Sequence, residues 1–337
     1  MVWGVFSDRP FFIPLFFFPP QICPIHSARK QAAGFLGGSA VSPGTSKYET
    51  AKSMLNTKSL LLAAAISTLS LLGAASAAEA GQASYLVDAH SGQVLEASNE
   101  NELNYPASLT KMMTLYLAFE ALHDGRLKWD QKLTMSENAE SKEPFKFAIG
   151  AGRKVTTREA VEGIVVLSAN DAAVAIAEQL GGSEESFGKI MTAKAHQLGM
   201  SKTVFKNPSG LPDPEQVTTA HDMATLGVAL MRDFPEEFKL FSLRGMKFRG
   251  MKLRGHNNLM YRYAGADGIK TGYTDASGYN LVTSASKNGR RVVGVVMGEK
   301  TAQIRDDKMA SLLDTYLAPV ASTTTVSTGA PKQSSAN

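Results

Sequence analysis

The sequence predicts an α+β domain in which one antiparallel sheet of about five strands is flanked by helices, with an all-helical lobe inserted at roughly 125–220. Strand-like segments occur near the start of the domain and again from about Met246. A helical period of three to four residues dominates between these segments, from Ser108 to about residue 230. Short turns join the C-terminal strands, as in antiparallel hairpins. The N-terminal and C-terminal strands form one sheet only if the two ends of the domain pair with each other.

The first predicted element is a hairpin, with strands over 85–88 and 93–96 around the turn His90-Ser91-Gly92. We expect this hairpin to complete one edge of the sheet. The first helix begins near Ser108, where apolar residues start to recur at the spacing of a buried helical face. Those apolar residues are Met112, Leu115, Tyr116, Phe119 and Leu122.

The middle of the chain predicts two helices separated by a short break. Thr156 or Thr157 caps a helix over 158–167, whose first turn carries Glu159. A second helix over 171–180 ends at Gly181-Gly182, a typical C-terminal cap. The break between them is Ser168-Ala169-Asn170, so these side chains are expected at a helix junction.

The C-terminal part predicts three consecutive strands over 268–273, 279–286 and 291–297. The last two are joined through Asn288-Gly289, the strongest short hairpin signal in the chain.

Composition separates this domain from three flanking segments. Residues 54–77 contain Lys58, a short apolar stretch and Ala75-Ser76-Ala77, which together predict a secretory signal peptide. That stretch is shorter than the ~20 residues of a membrane-spanning helix, so we expect no integral span in the mature chain. Residues 1–53 match no targeting class, and we interpret them as a mis-called upstream extension. Residues 320–337, rich in Ser, Thr and Ala, predict a disordered tail, which leaves 78–319 as the folded domain.

The charge balance argues against a nucleic-acid partner. Residues 1–77 hold six of the 35 basic residues and two of the 31 acidic residues, so the remainder carries 29 of each. A chain without net charge lacks the overall basic charge that is typical of nucleic-acid-binding proteins. The single cysteine, Cys23, also precedes the cleavage site, so the mature chain suits an oxidising compartment.

Three short motifs carry the predicted chemistry: Ser108-Leu109-Thr110-Lys111, Ser168-Ala169-Asn170 and Lys270-Thr271-Gly272. The patterns S-x-x-K and S-x-N each occur four times, whereas K-T-G occurs once, so context must decide. Only Ser108 opens an apolar helix, which places it in the first turn, where free N–H groups favour negative charge.

Two of the motifs suit parts of one catalytic site. A serine hydroxyl needs a nearby base, and Lys111 lies one helical turn from Ser108. Lys270 and Thr271 offer a cation and a hydroxyl for a substrate carboxylate, while Gly272 lets a ligand approach the strand backbone. Read without this chemistry, Ser168 and Asn170 are ordinary helix caps and Lys270 an edge-strand lysine.

From about residue 83 to 317 the chain resembles the D-alanyl-D-alanine carboxypeptidases, the low-molecular-mass penicillin-binding proteins. The resemblance rests on residues 106–114, 168–172, 207–211 and 267–274, which include all three motifs in this order. It implies the β-lactamase/DD-peptidase-like fold and a catalytic domain over 78–319. The family usually has Gly where Ala169 stands. Many members carry a second β domain and a terminal membrane-binding helix, neither of which this sequence predicts.

The resemblance implies that Lys111 takes the proton of Ser108, which attacks the penultimate D-alanine of a peptidoglycan stem peptide. The N–H groups of Ser108 and Tyr273 would hold the oxyanion. Ser168 would relay a proton to the leaving amine, and Asn170 would orient Lys111 and the substrate amide. It further implies β-lactams as covalent inhibitors, no metal or cofactor, and a periplasmic or otherwise extracytoplasmic location. The substrate-binding residues would be Lys270, Thr271, Gly272 and Tyr273.

Three alternatives share these motifs. A β-lactamase of class A would need a glutamate for deacylation, but the chain has none between Glu185 and Glu215. A DD-endopeptidase or transpeptidase would use the same chemistry, and a non-catalytic wall-binding protein would keep only the pocket.

A basic repeat over 244–255 lies outside the three motifs. It reads Arg-Gly-Met-Lys-Phe, then Arg-Gly-Met-Lys-Leu, then Arg-Gly. We expect a twisted, solvent-facing hairpin, with an electrostatic patch for an anionic envelope polymer as the functional alternative.

Overall fold

The computed structural model describes residues 81–319, which include the 3₁₀ turns Ala107–Thr110 and Lys239–Ser242. The strands are β1 Ala83–Asp88, β2 Val94–Ser98, β3 Lys132–Thr134, β4 Lys154–Thr156, β5 Gly245–Phe248, β6 Met251–Arg254, β7 Ala266–Thr274, β8 Gly278–Lys287 and β9 Arg290–Glu299. The helices are α1 Lys111–His123, α2 Glu137–Glu140, α3 Thr157–Leu167, α4 Asn170–Gly181, α5 Glu184–Gln197, α6 Ala220–Asp233, α7 Pro235–Phe238, α8 Leu259–Arg262 and α9 Ala302–Tyr316.

Five antiparallel strands form the main sheet in the order β2-β1-β9-β8-β7. The prediction of one antiparallel sheet of about five strands is therefore confirmed, with the first hairpin at its edge. The N-terminal and C-terminal strands of the domain pair directly, since Tyr85 of β1 lies opposite Val295 of β9. Asn288 and Gly289 adopt φ of 53° and 74°, the left-handed pair that a tight hairpin turn requires.

Helices cover both faces of the sheet. On one face, α6 approaches closely because Gly227 has no side chain; a Cβ there would lie 3.0 Å from Val293. On the other face, Met309 of α9 packs over β9, where a Cβ on Gly294 would lie 2.8 Å from the Met309 sulfur. The sheet is therefore buried between two helical layers, each with its own apolar cluster.

The inserted lobe contains helices α2 to α5 and, in addition, a small ribbon of β3 and β4. The prediction of an all-helical lobe is corrected by this ribbon, in which Leu133 pairs with Val155. The predicted cap of the following helix is present: Thr156 accepts from the Glu159 N–H, and the Glu159 carboxylate accepts from the Thr156 N–H.

The expected upstream extension (1–53), signal peptide (54–77) and disordered tail (320–337) lie outside the described residues. Between 81 and 319 no helix combines the length and the apolar character needed to cross a bilayer.

Candidate active site

Ser108 lies on the 3₁₀ turn that leads into α1, held between two segments of backbone. Gly210 approaches from one side, where a Cβ would lie 1.9 Å from the Ala107 carbonyl oxygen. Gly272 of β7 approaches from the other, where a Cβ would lie 3.1 Å from the Ser108 nitrogen. The predicted start of the helix is thus a 3₁₀ turn. It packs between the loop that contains Gly210 and strand β7, both of which are remote from it in sequence.

Lys111 is fully buried, and its amine contacts the Ser108 hydroxyl. Lys111 Nζ lies 2.9 Å from Ser108 Oγ and also donates to the Ser209 carbonyl oxygen. Burial lowers the pKa of Lys111 well below its usual value, and the charge of Lys270 lowers it further. A neutral amine at this distance is able to accept the serine proton.

Lys270 is the second buried amine of the site, exposed by only 3% on β7. Its Nζ donates to the Thr271 carbonyl oxygen at 2.9 Å. Burial, followed by the charge of Arg305, lowers its pKa to about 7. Lys270 therefore lies beneath the surface of the site, where a nearby anion would stabilise its protonated form.

Ser168 and Asn170 lie at the junction of α3 and α4, as their sequence position predicts. Ser168 adopts the left-handed conformation with φ of 59°, and its Oγ is buried without a hydrogen-bond partner among residues 81–319. Asn170 Nδ2 donates to the Glu143 carbonyl oxygen at 2.9 Å. The Asn170 amide is thus anchored to the lobe, while the Ser168 hydroxyl is left available to a ligand.

These side chains surround one cleft of about 560 Å³ between the lobe and the sheet. Lys111 and Lys270 lie beneath its surface. Six of the eight predicted site residues line it: Ser108, Ser168, Asn170, Thr271, Gly272 and Tyr273.

Two groups at this cleft were missed by sequence reasoning. The Ser209 carbonyl accepts from Lys111, and the Asn-Pro-Ser-Gly sequence over 207–210 gave a turn signal that could have indicated it. Arg305 of α9 also lines the cleft. Its guanidinium donates to Asp306 Oδ1 at 2.7 and 2.9 Å and to the Asn280 carbonyl oxygen at 3.3 Å. Nothing in the local sequence distinguishes Arg305 from a surface charge.

Aromatic side chains form the mouth of the cleft. Phe145 from the lobe and His256 from the opposite side lie with ring centroids 4.8 Å apart. Tyr273 packs against Tyr279 at 4.3 Å, and its hydroxyl donates to Asp275 at 2.8 Å. Among the described residues that line the cleft, Asp275 is the one carboxylate, and none is a glutamate.

The fold and this arrangement together define the class of active-site serine proteins that includes the penicillin-binding proteins and the β-lactamases. A family model described as D-alanyl-D-alanine carboxypeptidase matches residues 72–301. D-alanyl-D-alanine carboxypeptidase DacA of Haemophilus influenzae is 38% identical over 233 residues, covering 68% of this chain and 59% of that protein. DacF of Bacillus subtilis is 37% identical over 242 residues, covering 70% and 62%.

Solved structures agree with these matches. Penicillin-binding protein 5 from Haemophilus influenzae is 37% identical, with a TM-score of 0.67 over 70% of each chain. Penicillin-binding protein D2 from Listeria monocytogenes, in its ampicillin-bound form, is 32% identical, with a TM-score of 0.64 over 69% of this chain and 95% of that one. The chain therefore belongs to the D-alanyl-D-alanine carboxypeptidase family. It spans about three fifths of the length of the two curated relatives.

Proposed function

We propose that this protein is a serine-type D-alanyl-D-alanine carboxypeptidase that removes the terminal D-alanine from peptidoglycan stem peptides through an acyl-Ser108 intermediate. The observation that carries this proposal is the 2.9 Å contact between Lys111 Nζ and Ser108 Oγ, made by a buried amine of lowered pKa. Family membership supports the substrate class.

In the first half-reaction, the Ser108 proton moves to Lys111 Nζ while Oγ attacks the carbonyl carbon of the penultimate D-alanine. The oxyanion forms beside the N–H groups of Ser108 and Tyr273, on the turn and on β7. The close approach of Gly272 to the Ser108 nitrogen supports this pairing. Removing one such donor costs about 3–4 kcal/mol in other enzymes.

Collapse of the tetrahedral intermediate requires a proton on the leaving amine of D-alanine. The Ser168 hydroxyl is buried in the cleft wall without a hydrogen-bond partner among the described residues, which suits a relay from Lys111 to that amine. Asn170, anchored to Glu143, would position the substrate amide.

The terminal carboxylate of the substrate would lie against Thr271, above the buried amine of Lys270 and near Arg305. A bound anion favours protonated Lys270, because an opposite charge raises the pKa of an amine. Substrate binding would thus favour the protonated, charged form of Lys270, which burial disfavours in the free enzyme.

In the second half-reaction, Lys111 would activate water to hydrolyse the acyl-enzyme and release the shortened peptide. A β-lactam would acylate Ser108 in the same way. Within residues 81–319 no glutamate lines the cleft, which favours a long-lived adduct over the fast turnover of a class A β-lactamase.

The proposal extends to the organisation and location of the chain. Residues 78–319 would form the catalytic domain, exported by the signal peptide over 54–77 to an extracytoplasmic compartment, where the polymer lies. N-terminal sequencing of the exported protein would show a start at Ala78 if this is correct.

Release of D-alanine from a diacetyl-lysyl-D-Ala-D-Ala tripeptide tests the activity. We expect release by the wild-type protein, and a loss of roughly 10³-fold or more in Ser108→Ala, comparable to the loss of a nucleophile elsewhere. Equal rates for the two proteins would contradict the assignment of Ser108. Binding of the tripeptide without release would instead support the non-catalytic alternative.

A further inference from the structure

The β5–β6 hairpin carries a cluster of cations that the proposed reaction does not use. Within residues 81–319 none of its five cationic side chains forms a salt bridge with a carboxylate. All five are exposed to solvent, and no acidic residue interrupts the segment: Arg244, Lys247, Arg249, Lys252 and Arg254.

Strand pairing concentrates this charge on one face. Met246 and Phe248 are buried in the core, which fixes the alternate side chains of β5 outward. Lys247 lies directly opposite Lys252 in the register, and Arg254 follows Lys252 by two residues on the same strand. Like charges directly opposite each other destabilise a strand pair. We call Lys247, Lys252 and Arg254 the cationic face. A bound anion would relieve the repulsion between these side chains.

Arg254, at one end of the cationic face, lies beside the mouth of the active-site cleft. Arg254 lies 4.1 Å above the Tyr261 ring, and its Nη2 donates to Asn258 Oδ1 at 3.1 Å. Both contacts hold the guanidinium in place. Arg254 lines a groove of about 370 Å³ together with Asn258, Tyr261 and Asp306, and this groove shares Asn258 and Ala302 with the cleft. An extended ligand could thus occupy the cleft and the cationic face together.

We propose that the cationic face is a docking site for carboxylates of the wall polymer, supplied by stem peptides next to the one held in the cleft. This inference rests on the proposed function, since that function places the polymer at the cleft. A polymer of repeated acidic peptides offers several carboxylates at once, so weak contacts add through their high effective concentration. Met251 is the one exposed large apolar side chain of the hairpin, which argues against insertion into a lipid surface.

The test compares polymer and small substrate in charge variants of the full chain. Lys247→Gln/Lys252→Gln removes the opposed pair. Lys132→Gln/Lys154→Gln, on exposed positions of the β3–β4 ribbon, is the matched control. We expect roughly tenfold slower D-alanine release from purified sacculi for the first variant, at the low end of electrostatic steering effects. Release from the tripeptide should be unchanged, and the control should match the wild type on both substrates.

A single charge reversal separates docking from folding. Lys247→Glu creates an opposite-charge pair with Lys252, so its melting temperature should equal or exceed that of the wild type. Co-sedimentation with sacculi at low salt should nevertheless fall, and raising the salt should remove the difference between variant and wild type.

Three results would overturn the docking site. They are unchanged sedimentation of the hairpin variants, an equal loss in the control pair, or retention on anionic phospholipid vesicles but not on sacculi. If the wild-type protein released no D-alanine from the tripeptide, the proposed function would fail, while sedimentation would still report on the cationic face.

Discussion

Replacing Gly210 with alanine tests whether the 207–211 loop holds the nucleophile turn in place. A Cβ at Gly210 would lie 1.9 Å from the Ala107 oxygen and 2.4 Å from its carbonyl carbon, both backbone atoms. The two segments would have to separate by more than 1 Å to reach ordinary van der Waals distance. Because Ala107 directly precedes Ser108, that movement would displace the nucleophile from Lys111.

The expected cost has two parts. Gly210 has φ of +81°, and an L-residue in the left-handed region costs roughly 1–2 kcal/mol. Overpacking adds typically about 1–3 kcal/mol. Gly199→Ala isolates the first part, because Gly199 has φ of +91° and no atom of the described part of the chain lies within 4 Å of the added Cβ.

Thermal unfolding and penicillin acylation of the two variants supply the measurement. The excess 1–3 kcal/mol should lower the melting temperature of Gly210→Ala by roughly 2–12 °C beyond that of Gly199→Ala. The acylation rate of Gly210→Ala should fall by about 10²-fold, as for other displacements near 1 Å, while Gly199→Ala acylates normally. If the two variants had the same melting temperature and the same acylation rate, the 207–211 loop would not hold the Ser108 turn in place.

Three further outcomes follow from the buried amines and the cleft. Lys270→Gln removes a charge that lowers the pKa of Lys111, so the acid limb of the acylation rate should move to higher pH; an unmoved limb would mean the two amines do not interact. The pKa of Lys270 falls from its ordinary value of 10.5 to about 7 on folding, so between these pH values the unfolded chain binds more protons and stability should rise with pH. In urea titrations Lys270→Met should reduce that slope by up to about 1.4 kcal/mol per pH unit, and an equal slope would contradict the burial of a neutral amine. Mass spectrometry should detect a penicilloyl adduct on Ser108 that persists for many minutes, whereas rapid loss of the adduct would favour a β-lactamase.

The sequence predicted the elements whose signals are local. Asn288-Gly289 fixed the last hairpin, and the Thr156–Glu159 capping box fixed the start of α3, because both depend on neighbouring residues alone. The β3–β4 ribbon was missed because each strand has three residues, too few to show a period of two.

The site was predictable as a set of residues but not as a set of contacts. S-x-x-K on a helix places Lys111 near Ser108 by its period alone. The contact of Lys111 with the Ser209 carbonyl joins residues 98 positions apart and leaves no local trace. The position of Arg305 was likewise not predictable from local sequence. Its side chain is 3% exposed, although it lies on a helix whose sequence is that of a charged, solvent-facing helix. Its inward orientation depends on Asp306 and on the Asn280 carbonyl of β8.

The charge balance of the cleft explains why these long-range contacts matter for the chemistry. Three cationic groups, Lys111, Lys270 and Arg305, are each at most 3% exposed, and Asp306 is the carboxylate that pairs with Arg305. Neither lysine forms a salt bridge among the described residues. Burial lowers both pKa values, and the charge of Lys270 lowers that of Lys111 further, as the charge of Arg305 does for Lys270. In the proposed reaction, the same imbalance would leave Lys111 neutral and able to act as a base, and Lys270 without a counter-ion. A substrate with a terminal carboxylate would supply that counter-ion, whereas a peptide ending in a neutral amide would not. Selectivity for a free C-terminus and activation of the serine would thus arise from one feature, a site that is short of negative charge until its substrate binds.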